Sequence, residues 1–287
     1  MFGAGETLNL NMNFKIKYIF MGALFLCAVL GCRSNSKSGY SKVEEFSPIV
    51  PAISYSVPRY YPHDTSLFTE GFLFHDGELF ESTGSPHDLP ETKSLIGVDN
   101  LSTGKFSKKI ELDRTKYFGE GIAFLGNRLY QLTYKSQKGF IYDEKSFKKI
   151  CEFKYANKEG WGLTTDGKEL IMSDGTDKLT FLNRDNLKPV RILKVTLNGT
   201  PRDSPNELEY IKGYIYANVW TDNFIVKINP ATGKVVGKLD LSFLTMDARN
   251  KNPNADVLNG IAYDSVSDKI YVTGKLWPNI YQINFNH

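Results

Sequence analysis

Five segments of the chain share one pattern of apolar and polar positions. Each has an acid, amide or indole beside glycine or another polar residue, followed by an apolar run. They read FTEGFLF (residues 68–74), FGEGIAF (118–124), EGWGLTT (159–165), NELEYI (206–211) and LNGIAY (258–263). With Glu70, Glu120, Trp161, Glu207 and Asn259 as landmarks, the steps are 50, 41, 46 and 52 residues. A period of about 40–50 residues built from strand-like sequence predicts radial repetition, one propeller blade per repeat. The five motifs would then occupy equivalent places around one axis, and their polar groups would converge.

The rest of each repeat supports strands. A turn and an aromatic-rich strand follow each motif: DGELFESTG, GNRLYQLTY, DGKELIMSDG, KGYIYANVW and SDKIYVTGK. A third strand comes next, often ending in turn residues such as DNLSTGK or NPATGK. Four repeats have a fourth strand (FSKKIEL, KICEFKY, PVRILKVTL, KVVGKLDL), but the fifth stops at His287. Residues 52–59, AISYSVPR, alternate apolar and polar ahead of the first repeat. This segment is expected to supply the missing outer strand beside residues 280–285, which closes the ring and removes an open sheet edge. The fold class is therefore all-β, a five-bladed β-propeller. Short helices in loops are compatible with this pattern, for example around residues 241–249.

Composition fits this picture. Aromatic residues make up 13% of the sequence, which suits strands packed face to face. The N-terminus reads differently. Lys15 and Lys17 precede an apolar stretch over residues 18–30 that ends Val29-Leu30-Gly31-Cys32. A basic start and a short apolar run predict an export signal, and the run is shorter than a usual bilayer span. The ending is similar to a bacterial lipobox, which would place a lipid thioether on Cys32; an ordinary signal with an incidental cysteine is the other reading. Leu30 is larger than the residue usual there. Residues 1–11 read as an upstream extension, since Met12 begins a normal signal. The expected organisation is signal and lipobox over 1–32, a polar tether over 33–50, and the propeller over 51–287. This places the protein in a bacterial cell envelope, lipid-anchored, on the periplasmic side or at the surface.

Charge excludes some functions. The net charge is +3 and the basic residues are spread along the sequence, so no nucleic-acid partner is expected. Among three cysteines, Cys27 leaves with the signal and Cys32 carries lipid. Cys151 then remains alone in an alternating strand, where a buried thiol is expected. His63, His75, His87 and His287 lack ligand spacing, and each reads as a solvated loop residue. No catalytic metal or cofactor is expected; a structural cation in the central channel stays open. No nucleophile elbow or phosphate loop is present.

Chemistry therefore rests on the ring of motifs. Glu120 lies between two glycines with Phe118 and Ile122 nearby. A carboxyl in such surroundings loses hydration and its pKa rises towards neutrality, though an acid capping a turn has the same local sequence. Trp161 between two glycines reads either as a ligand platform or as packing between blades. Asn206 and Trp220 come from one repeat, fourteen residues apart, and Lys275 stands at the end of the corresponding strand in the last repeat.

These strings, in this order, resemble the plant and bacterial glutaminyl-peptide cyclotransferases (glutamine cyclotransferases). FTEG, FESTG, FGEGI, QLTY, EGWGLTTDG, MSDG, NELEY, ANVW, DVLNGIAYD and VTGKLWP carry the resemblance over residues 54–285. It implies a five-bladed propeller that converts an N-terminal Gln, and more slowly Glu, of peptides and proteins into pyroglutamate without a catalytic metal. It implies Glu120 as catalytic acid, with Lys275 and Asn206 as catalytic partners. Phe68, Glu70, Phe118, Tyr134, Trp161 and Trp220 fall on the substrate pocket. Two positions depart: the family usually has Gln at Glu70 and Trp at Tyr134. A second carboxylate near Glu120 would raise the pKa of one of the two. A monomer is expected. The rival readings are a non-catalytic surface propeller that binds peptides or glycans, and a propeller lactonase or lyase with a metal cage at its axis.

Overall fold

The computed structural model describes residues 49–287, and the expected signal, lipobox and most of the tether lie outside them. Strand β1 (Tyr55–Pro62) opens the fold. The first blade is β2 (Thr69–His75), β3 (Glu78–Thr83), β4 (Leu95–Asn100) and β5 (Lys105–Glu111). The second is β6 (Gly119–Phe124), β7 (Arg128–Thr133), β8 (Lys138–Asp143) and β9 (Lys149–Lys154). The third is β10 (Leu163–Thr165), β11 (Glu169–Ser173), β12 (Lys178–Asn183) and β13 (Pro189–Lys194). A small hairpin, β14 (Thr196–Leu197) with β15 (Thr200–Pro201), precedes the fourth blade. That blade is β16 (Pro205–Ile211), β17 (Tyr214–Val219), β18 (Phe224–Ile228) and β19 (Val235–Asp240). Helix α1 (Ser242–Lys251) leads to β20 (Leu258–Asp264), β21 (Lys269–Gly274) and β22 (Asn279–Phe285).

The last sheet runs β1-β22-β21-β20, so the first strand completes the fifth blade. The five-bladed expectation is borne out. The pairing runs from Tyr55 opposite Phe285 to Pro62 opposite Asn279. It starts later than residue 52 because Ala52 bridges Lys238 and Ile53 N–H bonds the Lys238 carbonyl at 2.8 Å, on the outer strand of the fourth blade. The N-terminal segment thus stitches two blades before it closes the ring.

The inner strands β2, β6, β10, β16 and β20 pack against one another around the axis. The motif glycines permit this. A Cβ on Gly162 would lie 2.0 Å from the Asn206 carbonyl oxygen, and one on Gly121 would lie 2.4 Å from Leu163 N. Gly121 N–H also bonds the Trp161 carbonyl, at 2.8 Å across the blade boundary. Gly121 therefore serves contact between blades, more than clearance around the Glu120 carboxyl. Ile122 likewise lies in the core and not in a pocket wall.

In the fourth blade Glu207, not glycine, holds the position matching Gly71, Gly121, Gly162 and Gly260. Its carboxylate accepts from Phe72 N–H at 3.3 Å and Ile261 N–H at 2.8 Å, so it reaches from the fourth blade to the first and the fifth. Glu209, two residues further along the same strand, accepts from Tyr263 N–H at 2.9 Å. These two acids occupy the ring's interior. Glu207 therefore lies away from the convergent polar residues, and Asn206 is the equivalent of Glu70 and Glu120.

Two other expectations are corrected. Cys151 is exposed: on the outer strand β9 only Phe153 turns inward to be buried. His63 is buried, not solvated, because the backbone leaving β1 dives between the first and last blades.

Candidate active site

Four inner strands carry a β-bulge near their start, between Thr69 and Gly71, Gly119 and Ile122, Pro205 and Leu208, and Leu258 and Ile261. A bulge re-aims one residue without breaking the strand. Here the re-aimed residues include Glu70, Glu120 and Asn206. Together with Trp161, which precedes β10, they gather at one mouth of the ring around a cavity of about 650 Å3.

All nine pocket and catalytic residues expected from the sequence line this one cavity: Phe68, Glu70, Phe118, Glu120, Tyr134, Trp161, Asn206, Trp220 and Lys275. The aromatic rings form its walls. Phe68 meets Phe118 edge-on at 6.4 Å, Phe118 leans on Tyr134 at 5.7 Å, and Trp161 meets Trp220 edge-on at 5.8 Å. Gly175 lies against the Trp161 indole, where a Cβ would come within 2.6 Å of the ring. The indole N–H donates to Glu159 at 2.9 Å, which fixes the plane of the ring.

The polar groups divide into a paired set and an open one. Lys275 Nζ donates to Glu70 Oε1 at 2.7 Å and stands 4.5 Å from the centre of the Phe68 ring. Asn259 Nδ2 bonds the Thr69 carbonyl at 2.9 Å and the other Glu70 oxygen at 3.4 Å. Asn259 thus acts behind Glu70 and does not line the cavity. Burial pushes the Glu70 carboxyl up to about 7, against the pull of Lys275. Burial raises Glu120 well above the usual carboxylate range, and the Glu70 charge adds to it. No hydrogen bond from the described residues reaches the Glu120 carboxyl, which faces the cavity while 4% exposed as a residue. Asn206 Oδ1 is buried without a partner.

Some lining residues were not singled out by the sequence. Glu159, Asp174 and Asp256 join Glu70 and Glu120, against Lys158 and Lys275. The carboxylates outnumber the lysines, which favours a cationic ligand. Glu159 and Asp256 do stand inside the EGWGL and DVLNG motifs. Their place in those motifs is the signal that could have found them.

Fold and site together define a class: β-propellers of five blades that hold a buried carboxyl, a lysine and aromatic walls in a cavity at one mouth of the ring. The model of the family described as glutamine cyclotransferase matches residues 24–285. A glutaminyl-peptide cyclotransferase of Arabidopsis thaliana is 43% identical over 225 residues, 78% of this chain and 68% of that one. The crystal structure of the Myxococcus xanthus glutaminyl cyclase superposes with a TM-score of 0.73 at 37% identity, over 83% of this chain and 98% of the other. The chain belongs to the glutamine cyclotransferase family, as its motifs implied.

Proposed function

We propose that the protein cyclises N-terminal Gln of peptides and proteins to pyroglutamate with release of ammonia, and acts more slowly on N-terminal Glu with release of water. Glu120 serves as the proton shuttle, and no catalytic metal takes part. The observation that carries this reading is the contrast between the two buried carboxyls: Glu70 is held by Lys275 and Asn259, whereas Glu120 faces the cavity without a hydrogen bond from the described residues.

The reaction needs such a group. The substrate's α-nitrogen attacks its own γ-carbonyl carbon and forms a new bond to it. The bond from that carbon to the amide nitrogen then breaks. The α-nitrogen starts as ammonium and ends as a ring amide N–H, so it gives up two protons. The departing nitrogen gains two and leaves as ammonium. Glu120 takes and returns each in turn and ends as it began. A carboxyl with raised pKa is suited to both halves of that transfer near neutral pH. Negative charge grows on the carbonyl oxygen in the tetrahedral intermediate, and Lys275 is the donor within the cavity that stabilises it. The unpartnered Asn206 Oδ1 accepts a substrate N–H. The aromatic walls hold the folded conformer that brings nitrogen to carbon; orientation of this kind is worth about 7–11 kcal/mol at best. Excess acidic charge draws in the ammonium.

Ammonia release from Gln-Gln dipeptide, measured with and without chelator, tests the reading. Turnover should persist in chelator; absence of release under any condition overturns it.

Export and anchoring through Cys32 complete the proposal, supported by the basic start, the apolar run and VLGC. Cys32→Ser should release the protein from the membrane fraction of its host. Unchanged processing and membrane association would refute the lipid anchor.

A further inference from the structure

A second cluster of ionisable groups lies outside the cavity, at the seam where the ring closes. His63 follows β1, Glu81 is on β3 and Asp99 on β4. Ligand atoms of all three lie within 4.8 Å of one another, and all three residues are buried. His63 Nε2 is 2.9 Å from Glu81 Oε2. Its other nitrogen, Nδ1, bonds the Trp277 carbonyl at 2.8 Å. The other Glu81 oxygen accepts from the Thr69 hydroxyl at 2.7 Å. Asp99 Oδ2 is buried with no hydrogen-bond partner.

This is the arrangement that surrounds a bound metal ion. A ligating histidine has one ring nitrogen fixed by a backbone carbonyl, and a ligating carboxylate has its spare oxygen held by a neighbour. Both partners are in place here, and an orphaned carboxylate oxygen completes the set. We propose that His63 Nε2, Glu81 Oε2 and an Asp99 oxygen bind a divalent transition metal, with Zn2+ the best match. One imidazole and two carboxylates suit Zn2+ with three protein ligands and one water. Ca2+ requires more oxygen ligands, and Mg2+ keeps most of its waters. With bonds of about 2.0–2.2 Å, the Nε2–Oε2 gap widens by only a few tenths of an ångström. The proton between those atoms leaves to solvent as the cation enters. Asp99 also lines a surface cleft of about 430 Å3, which gives the ion a route inward.

The site would join the element that closes the ring to the first blade. It also backs the cavity. The Thr69 hydroxyl that holds Glu81 lies 3.3 Å from the Gly274 carbonyl, and the next residues along are Glu70 and Lys275. Without metal, a proton bridges His63 and Glu81 and holds the same seam, so catalysis does not depend on the ion.

The test is a titration of chelator-stripped protein with Zn2+, read by calorimetry and by thermal unfolding. One Zn2+ should bind per protein molecule, and Tm should rise by about 5–10 °C at a hundredfold excess over Kd. Asp99→Asn should retain its metal-free Tm and lose the Zn2+ response. Glu81→Gln, which keeps the Thr69 contact, is the second variant should the first fail to fold. His75, Asp76 and Glu144 form another group of ligand atoms, and Cys151 is an exposed thiol. His75→Gln/Cys151→Ser should therefore respond to Zn2+ as the parent does. Absence of binding by the parent would overturn the proposal and leave a proton-bridged latch. Loss of the response in the His75/Cys151 variant, or its persistence in Asp99→Asn, would also overturn it. None of these readouts depends on turnover, so they are independent of the proposed reaction.

Discussion

Lys275 Nζ lies 2.7 Å from Glu70 Oε1, with side-chain exposures of 8% and 3%. This ion pair decides what the two cavity carboxyls can do. It neutralises the lysine and engages Glu70, and it leaves Glu120 as the carboxyl open to the cavity. Its members come from the first and last blades, so it exists only when the ring is closed.

Removing the lysine tests both of its roles. Lys275→Met should lower kcat for Gln substrates by about 10²–10³, the usual effect of deleting one donor at a developing oxyanion. It should also destabilise the fold at pH 8, on the order of 3 kcal/mol, because a buried carboxylate loses its cation. Lys275→Met/Glu70→Gln should recover most of that stability but not the rate. A single variant with kcat within threefold of the parent would remove Lys275 from the chemistry. Steady-state kinetics and denaturant melts give both answers.

The blade boundary offers a second test. The Cβ of Gly162→Ala would fall 2.0 Å from the Asn206 carbonyl, and both groups belong to inner-strand backbone. Neither can yield without parting two blades. A loss of about 1–3 kcal/mol is expected from the overpacking. Because Asn206 sits on the strand that must move, kcat/KM should fall as well. An alanine variant of parent stability would mean that the inner strands separate more easily than this packing implies.

Much of this was legible in the sequence because the propeller is periodic. The spacing of the motifs gave the blades, and the absent fourth strand after residue 285 pointed to β1. The helix expected over residues 241–249 is α1 (Ser242–Lys251). What escaped depends on details that periodicity does not carry. Glu207 served as a landmark because its counterparts in the first two repeats are acids, yet it stands where the other repeats have glycine, so the residue equivalent to Glu70 and Glu120 is Asn206. Cys151 alternates with polar neighbours, but an outer strand can be solvated on both faces. The burial of His63 follows from partners on β3, β4 and the turn after β21, which no local window contains.

Stability should depend on pH in an unusual direction. Burial raises Glu70 to about 7, partly offset by Lys275, and raises Glu209 to about 8. Glu120 and Glu207 are raised well above the usual range, first by burial. An acid whose folded pKa exceeds its unfolded value near 4.5 binds its proton more tightly when folded. Its stabilising effect is complete below about 4.5 and is lost as pH rises through the folded value. Surface carboxylates act oppositely: Asp113, held down to about 2 by Lys116 and Thr115, loses its contribution as pH falls below about 4. Tm should therefore peak near pH 5 and decline between pH 5 and 8. A Tm that climbs from pH 5 to 8 would show that these acids are ionised in the folded protein.

The sharpest prediction separates the two cavity carboxyls. Glu120→Gln keeps the shape of the glutamate but cannot accept or return a proton. It should lower kcat for Gln cyclisation by about 10²–10⁴, the usual contribution of general acid–base catalysis, with a melt no lower than the parent's, since the amide removes a buried ionisable group. Glu70→Gln should remain active, since the amide can still meet the cavity groups and Lys275 is released towards the substrate carbonyl. Its pH profile carries the second readout. The Glu70 charge raises Glu120 and Lys275 lowers it. Removing the first and freeing the second both ease ionisation of Glu120. The acidic limb of kcat/KM, which reports ionisation in the free enzyme, should therefore move to lower pH in Glu70→Gln. An inactive Glu70→Gln beside an active Glu120→Gln would invert the assignment. If both variants turn over at the parent rate, the shuttle lies elsewhere in the cavity, and Glu159 and Asp174 are the next carboxyls to replace.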